Sequence, residues 1–197
     1  MLRELRTELR DDLRAALEND PAARNAWDVA LTYPGLHAIW GHRVASALWH
    51  HDHRMSARLL SSLVRMATAV DIHPAATIGH RLFIDHAIGV VIGETAEIGD
   101  DVVMFHGVTL GGVSMSRGKR HPTIGDRVML GAGCVVLGPV TIGDDCAIGA
   151  QSVVTKDVPA GSVVVGVPGQ IVGPNQRRIV PARPRRVGRK PFNSHVA

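Results

Sequence analysis

Apolar residues recur along this chain at two spacings, and the change from one to the other falls near Asp71. Before it, Leu2, Leu5, Leu9, Leu13 and Leu17 fall at steps of three and four, the mark of one apolar helix face. Asn19-Asp20-Pro21 stops that helix and caps the next, since proline suits a first helical turn. Further helices are predicted over about 22–31, 35–49 after Pro34, and 54–69. From Asp71 onward the period is six. Ile72, Ile78, Ile84 and Val90 form one run, Ile98, Met104 and Leu110 a second, and Ile124, Leu130, Val136, Ile142, Ile148 and Val154 a third. Glycine often follows the aliphatic residue, and a small or β-branched residue often stands four positions after it, as at Ala76, Val102, Cys134 and Cys146.

Hexads of this kind predict a parallel β-helix in which each unit supplies one short strand and one corner. The aliphatic residue points to the axis, glycine relieves the corner and the small residue fits where the coil narrows. The fold class is therefore α+β: a helical domain over 1–70, a β-helix over 71–173 and a basic tail over 174–197. The period breaks twice. Two residues are inserted between Val90 and Ile98, a stretch that includes Glu94, and Leu110 and Ile124 are 14 apart, so 111–122 must leave the coil as one excursion loop carrying Lys119, Arg120 and His121. Insertions in a repeat are where function tends to sit.

Composition fits this picture. Hydrophobic residues make up 45% and aromatics only 4%, with 21 glycines, a balance that suits short aliphatic strands and tight corners. No apolar run approaches the ~20 residues of a membrane span. The charged N-terminus, MLRELRTELRDD, has no signal core, so a soluble cytoplasmic protein is expected. The two cysteines occupy the small-residue position and are read as packing. The net charge of +4 comes from the tail: without its seven Arg and Lys, the remainder holds 15 basic against 18 acidic residues. With no aromatics interleaved for base stacking along it, the tail reads as solvated and not as a nucleic-acid-binding arm.

Counting hexads places His86 and His106 on adjacent coils, both outward and stacked. His86 follows Asp85 and is the candidate general base, since an imidazole titrates near neutrality and works best when a carboxylate fixes its tautomer. Asp71, Asp85 or Glu94 could supply that carboxylate, and spacing does not choose among them.

The segments "VDIHPAATIG" (70–79), "DHAIGVVIGETA" (85–96), "GVTLGG" (107–112), "KRHPTIGDRVMLGAG" (119–133) and "VVGVPGQIVG" (164–173) closely resemble the serine acetyltransferase family, as do "NDPAA" (19–23) and "YPGLHAIWGHRVASALW" (33–49). The likeness spans roughly residues 10–173 and implies a left-handed β-helix that transfers acetyl from acetyl-CoA to the hydroxyl of L-serine. Carried over by motif, it makes His86 the base, Asp71 its orienting carboxylate, and His121 with Arg120 the holders of the serine carboxylate. Asp20 and Asp85 become the acids around the amino group, and Gly112 and Ala132 line the CoA groove. It also implies inhibition by L-cysteine at the serine site, no metal, and a trimer, with the hexamer of longer forms set in doubt by the shorter N-terminal region. The family's partner, O-acetylserine sulfhydrylase, captures a C-terminal isoleucine, whereas this chain ends Val196-Ala197, which counts against that complex.

Two other readings use the same residues. An acyltransferase for sugars or antibiotics would keep the coil and a His base but has no reason to keep Asp20, Arg120 and "RHP" together. A hydro-lyase of the γ-type carbonic anhydrase kind would need His86, His106 and His121 to converge on zinc with an open fourth position.

Overall fold

A computed structural model describes residues 2–175, with side chains from Arg6 onward. Four helices come first: α1 (Leu2–Asn19), α2 (Ala26–Thr32), α3 (Pro34–His50) and α4 (Arg54–Thr68). α2 begins later than the pattern suggests because Asp20 does not cap it. The Asp20 carboxylate instead accepts the Ala22 N–H at 2.7 Å and closes a turn. Asn25 takes the cap, accepting the N–H groups of Trp27 and Asp28 at 3.0 Å each.

The rest is a three-sided coil. The first face stacks Asp71–Ile72, Val91–Ile92, Thr109–Gly111, Val135–Leu137 and Val153–Val154; the second stacks Thr77–Ile78, Glu97–Ile98, Thr123–Ile124 and Thr141–Ile142. The third stacks Phe83–Ile84, Val103–Met104, Met129–Leu130, Ala147–Ile148 and Ser162–Val165, and Gln170–Pro174 closes it antiparallel. The remaining pairings are parallel, and with the helices in front this is the expected α+β left-handed β-helix with one excursion loop. The aliphatic columns fill its axis at 8% exposure or less. Each fully buried Ile, Leu or Val there contributes roughly 1.5–3 kcal/mol.

Register moves the first break in the period. Ile72 pairs with Ile92, and Ile92 with Leu110. Ile92 is therefore the axial residue of its strand, and Val90 belongs to the column of small corner residues. The two inserted residues lie in 85–90, around His86, and not at Glu94. Cys134 and Cys146 fill the corner column at 0% exposure. Burial pushes the Cys134 thiol up to about 12, so both are packing groups.

Two of the contacts that fasten the helices to the coil come from α3. Arg43, on α3, donates to the carbonyls of Ile78 at 2.8 Å and Gly79 at 2.6 Å and pairs with the fully buried Asp12 of α1 at 3.1 Å. Glu8 lies 3.8 Å from the same guanidinium, so the cost falls on Asp12: removing Arg43 would leave that carboxylate buried without its cation, a cost of about 3–5 kcal/mol. Gly35, at the start of α3, lies so close to the coil that a Cβ there would stand 2.1 Å from the Ile84 carbonyl oxygen. Leu36, Val29 and Ala16 then pack on Phe83 and Val103, the outward residues of the third face. Among the described residues no helix is long and apolar enough to cross a membrane. Most of the basic tail, from Gln176 on, lies outside the described residues.

His42, on α3, is buried with no hydrogen-bond partner at Nδ1 among the described residues. Burial first, and then the Arg43 charge, push its pKa from 6.5 down to about 3. Between those values the unfolded chain binds a proton that the folded chain refuses, so stability falls as pH falls through that window. At ~1.4 kcal/mol per unit, His42 should cost about 2 kcal/mol between pH 7 and pH 5. Urea midpoints at fixed protein concentration should drop over that range, and His42→Leu should flatten the drop. An unchanged slope in the variant would remove His42 as the cause.

Candidate functional site

The corner between the third and first faces carries Asp85 and His86. In this lengthened corner His86 and Ala87, both at φ 59°, take the left-handed region, followed by Gly89 at 78°. Two successive non-glycine residues there hold on the order of 1–3 kcal/mol of strain each. The His86 ring meets His106 edge-on at 5.9 Å, the stacking that hexad counting predicts. Its side chain is 72% exposed, with Asp85 Oδ2 3.6 Å from Nε2. Tyr33 stands just before the Gly35 contact with Ile84, and its hydroxyl donates to Asp20. Burial, the Asp20 hydrogen bond and the charges of Asp20, Asp28 and Asp85 all raise the Tyr33 pKa, so the hydroxyl keeps its proton as a donor. Asp20, Tyr33, Asp85 and His86 thus form one acidic cluster with an exposed imidazole.

The corner between the first and second faces is built differently. Here the excursion loop returns and docks on Glu94-Thr95-Ala96-Glu97. Lys119 Nζ donates to the Thr95 carbonyl and to Glu97, each at 2.9 Å. The Arg120 guanidinium pairs with Glu94. The hydrogen bond from Arg120, the largest cause, and its charge hold the Glu94 carboxyl below the usual range. His121 is 8% exposed and lies on Gly93, where an added Cβ would sit 2.1 Å from the ring. Burial, and then the Arg120 charge, push the His121 pKa down; burial followed by the Arg58 charge does the same for His73. A cavity of about 320 Å³ opens here, walled by Asp71, His73, Glu94, Arg120 and His121 below and by α4 above.

The residues singled out from sequence therefore fall into two groups. Asp71, Arg120 and His121 share the cavity, and Gly112 is beside them, its missing Cβ leaving room 3.1 Å from the Arg120 carbonyl oxygen and 3.4 Å from His121 Nε2. Asp20, Asp85 and His86 occupy the other corner. Ala132 belongs to that side, since the His106 carbonyl accepts the N–H of the neighbouring Gly133 at 2.8 Å. At ~3.3 Å per extended residue, one side of the coil separates the two corners by on the order of 15 Å. Within one chain Asp71 is thus no partner of His86. Its carboxylate binds Arg65 of α4 at 3.0 Å, because the strand holding Asp71 starts directly under that helix. Nor do His86, His106 and His121 converge in one chain, and no group of three metal-binding side chains occurs among the described residues. Sequence reasoning missed Gly93, Thr95, His73 and Tyr33. A correct phase for the hexads would have flagged Gly93, which follows an axial isoleucine like the other corner glycines.

A left-handed coil of hexads with an Arg–His pair returned on its excursion loop has the build of a hexapeptide-repeat transferase, and the profile described as "Bacterial transferase hexapeptide (six repeats)" matches residues 121–156. The chain is 61% identical over 170 residues to serine acetyltransferase of Mycobacterium tuberculosis, covering 86% of this chain and 74% of that protein. It therefore belongs to the serine acetyltransferase family. Similar solved structures include the Neisseria gonorrhoeae enzyme in complex with serine (TM-score 0.84, 43% identity, 86% of this chain and 69% of that one). The Brucella abortus enzyme in complex with coenzyme A has a TM-score of 0.85 at 44% identity, over 87% and 68% of the two chains. A serine acetyltransferase in complex with cysteine has a TM-score of 0.86 at 39% identity, over 88% and 67%.

Gly93→Ala should leave the coil folded and push the His121 ring out of its seat, because the group that must give way is a side chain and not backbone. A crystal structure of the variant checks this: the imidazole displaced from residue 93 is the expected result, and a ring still in place would refute the packing account.

Proposed function

We propose that this protein is a serine O-acetyltransferase that moves acetyl from acetyl-CoA to the hydroxyl of L-serine, giving O-acetylserine and CoA in cysteine biosynthesis, with L-cysteine as feedback inhibitor. The observation that carries the proposal is the docked loop return, which holds Arg120 and His121 against one cavity in a member of this family. In this reading Arg120 pairs with the serine carboxylate with His121 beside it, while Asp20 and Asp85 take the ammonium. His86 removes the hydroxyl proton as the serine oxygen attacks the thioester carbonyl. The tetrahedral adduct collapses with C–S cleavage, and the proton passes from His86 to the CoA thiolate. Gly112 and Ala132 keep side chains out of the path of the pantetheine arm.

No serine molecule can span two corners about 15 Å apart. The proposed assembly is therefore a homotrimer in which the His86 corner of one copy faces the Asp71 and His121 cavity of the next. That arrangement restores Asp71, from a neighbouring copy, as the carboxylate that orients His86. Exposed apolar side chains support it: Trp27 and Leu31 on α2, near the first corner, and Met55, Leu59, Leu63 and Met66 on α4, above the cavity. The two buried unpaired cysteines suit a reducing cytoplasm.

Free thiol should appear from acetyl-CoA only when L-serine is added, and micromolar cysteine should suppress it. Release without an acceptor, or with sugars alone, would overturn the reaction. His86→Ala should lower turnover by at least ~100-fold in a folded protein. The shared site has its own test. His86→Ala and His121→Ala chains, each inactive alone, should regain activity when co-expressed, because a mixed trimer holds one intact site. No recovery from mixed trimers would refute the shared site.

A further inference from the structure

Thr95 has a place in this site that its chemistry defines closely. Its N–H donates to His121 Nδ1 at 3.1 Å, and its hydroxyl lies 2.9 Å from the same nitrogen. That hydroxyl also accepts the backbone N–H groups of Arg120 at 3.0 Å and His121 at 3.1 Å. A hydroxyl has two lone pairs and one proton. Two N–H donors occupy the lone pairs, which leaves the proton for Nδ1. A backbone N–H can only donate. Both groups therefore require Nδ1 to be the acceptor, and turning the ring over would set C–H against both donors. The single proton of neutral His121 must then sit on Nε2.

Nε2 lies between the two positions that glycine leaves open. A Cβ at Gly93 would stand 2.1 Å from it, and a Cβ at Gly112 would stand 3.4 Å away. We propose that Thr95 is a positioning residue of the acceptor site: it holds His121 as the Nε2–H tautomer, a fixed neutral donor at the wall of the cavity, and so bars His121 from taking a proton there. Burial, with the charges of Arg120 and Lys119, opposes protonation of the ring and works in the same direction, against a smaller pull from Glu94. The Thr95 carbonyl, which accepts from Lys119, completes the account, since the residue spends each polar group on the returning loop. The chemistry such a donor serves is an oxygen of the acceptor, carboxylate or carbonyl. Proton removal is left to His86, which has no comparable clamp.

The kinetic consequence rests on the proposed acetyl transfer; the tautomer does not, so the two can fail separately. Nitrogen-15 NMR of the full chain labelled at histidine, with His121 assigned by its loss in His121→Gln, reads the tautomer without any substrate. The expected result is a protonated Nε2 and an unprotonated, hydrogen-bonded Nδ1. A protonated Nδ1 would overturn the proposal. Thr95→Val keeps the N–H, removes the hydroxyl and strands two loop N–H groups, so the KM for serine should rise about tenfold or more, an effect of the size expected for unsatisfied buried donors. The KM for acetyl-CoA should stay within about twofold, and Thr95→Ser should restore the wild-type values. A Thr95→Val protein that is merely less stable, with its serine KM and His121 signals unchanged, would reduce Thr95 to a structural residue and overturn the proposal. Should the expected tautomer appear in a chain that shows no serine-dependent turnover, the donor assignment stands and the reaction falls.

Discussion

Every turn of the coil must come back into register under the turn before it. The strands are mostly two residues long, and such a strand has almost no stability of its own. Its ladder partners above and below, together with one aliphatic side chain on the axis, hold it in place. An extra residue therefore cannot be absorbed within a face. It would turn the axial residue outward and break pairings on both sides. Additional chain can leave only at a corner, and the two corners that accept it, at 85–90 and at 112–122, are the ones that carry the proposed chemistry. Corners of ordinary length on this side take one left-handed residue, as at Gly107, Gly133 and Gln151, whereas the lengthened corner takes three, His86, Ala87 and Gly89.

The fold was legible in the sequence because the axial columns demand aliphatic residues at a fixed interval, and few other structures do. What misled was Val90. A valine satisfies either the axial column or the corner column, so hydrophobicity alone allows the inserted residues to fall on either side of it. Only the pairing of Ile72 with Ile92 decides. The misplaced phase had a cost at the site. It took Gly93 out of the series of corner glycines, and with it a position whose bareness shows where an imidazole ring must lie. The start of α2 was misread for a related reason. An Asp-Pro pair has the local form of a helix cap, but Asp20 is drawn away by Ala22 and by the Tyr33 hydroxyl, a partner thirteen residues on.

The proposed catalytic residues were legible as types and not as neighbours. Asp71 shows the difference. Its motif marks it as an acid that matters, while its position under α4 gives it to Arg65 within one chain. Neither motif nor spacing carries the width of a coil face, so no reading of a single sequence would separate the two corners.

The pattern of satisfied charges bears on why such a site would be divided. Asp71 is paired with Arg65 and Glu94 with Arg120, while Asp20 accepts a hydrogen bond from the neutral Tyr33 hydroxyl, so each of these acids already has a partner within one chain. The two imidazoles have opposite surroundings. His121 is enclosed and its Nδ1 is committed to Thr95, which suits a group that orients a substrate without exchanging protons. His86 is open to solvent and only loosely approached by an acid, which suits a group that must gain and lose a proton in each turnover but lacks the carboxylate that would aim it. In the proposed trimer, a base that becomes fully oriented only when a second copy arrives would tie proton transfer to assembly. Each corner is already fixed within one chain by its own loop and its own ladder, so the proposed arrangement would need no remodelling of either.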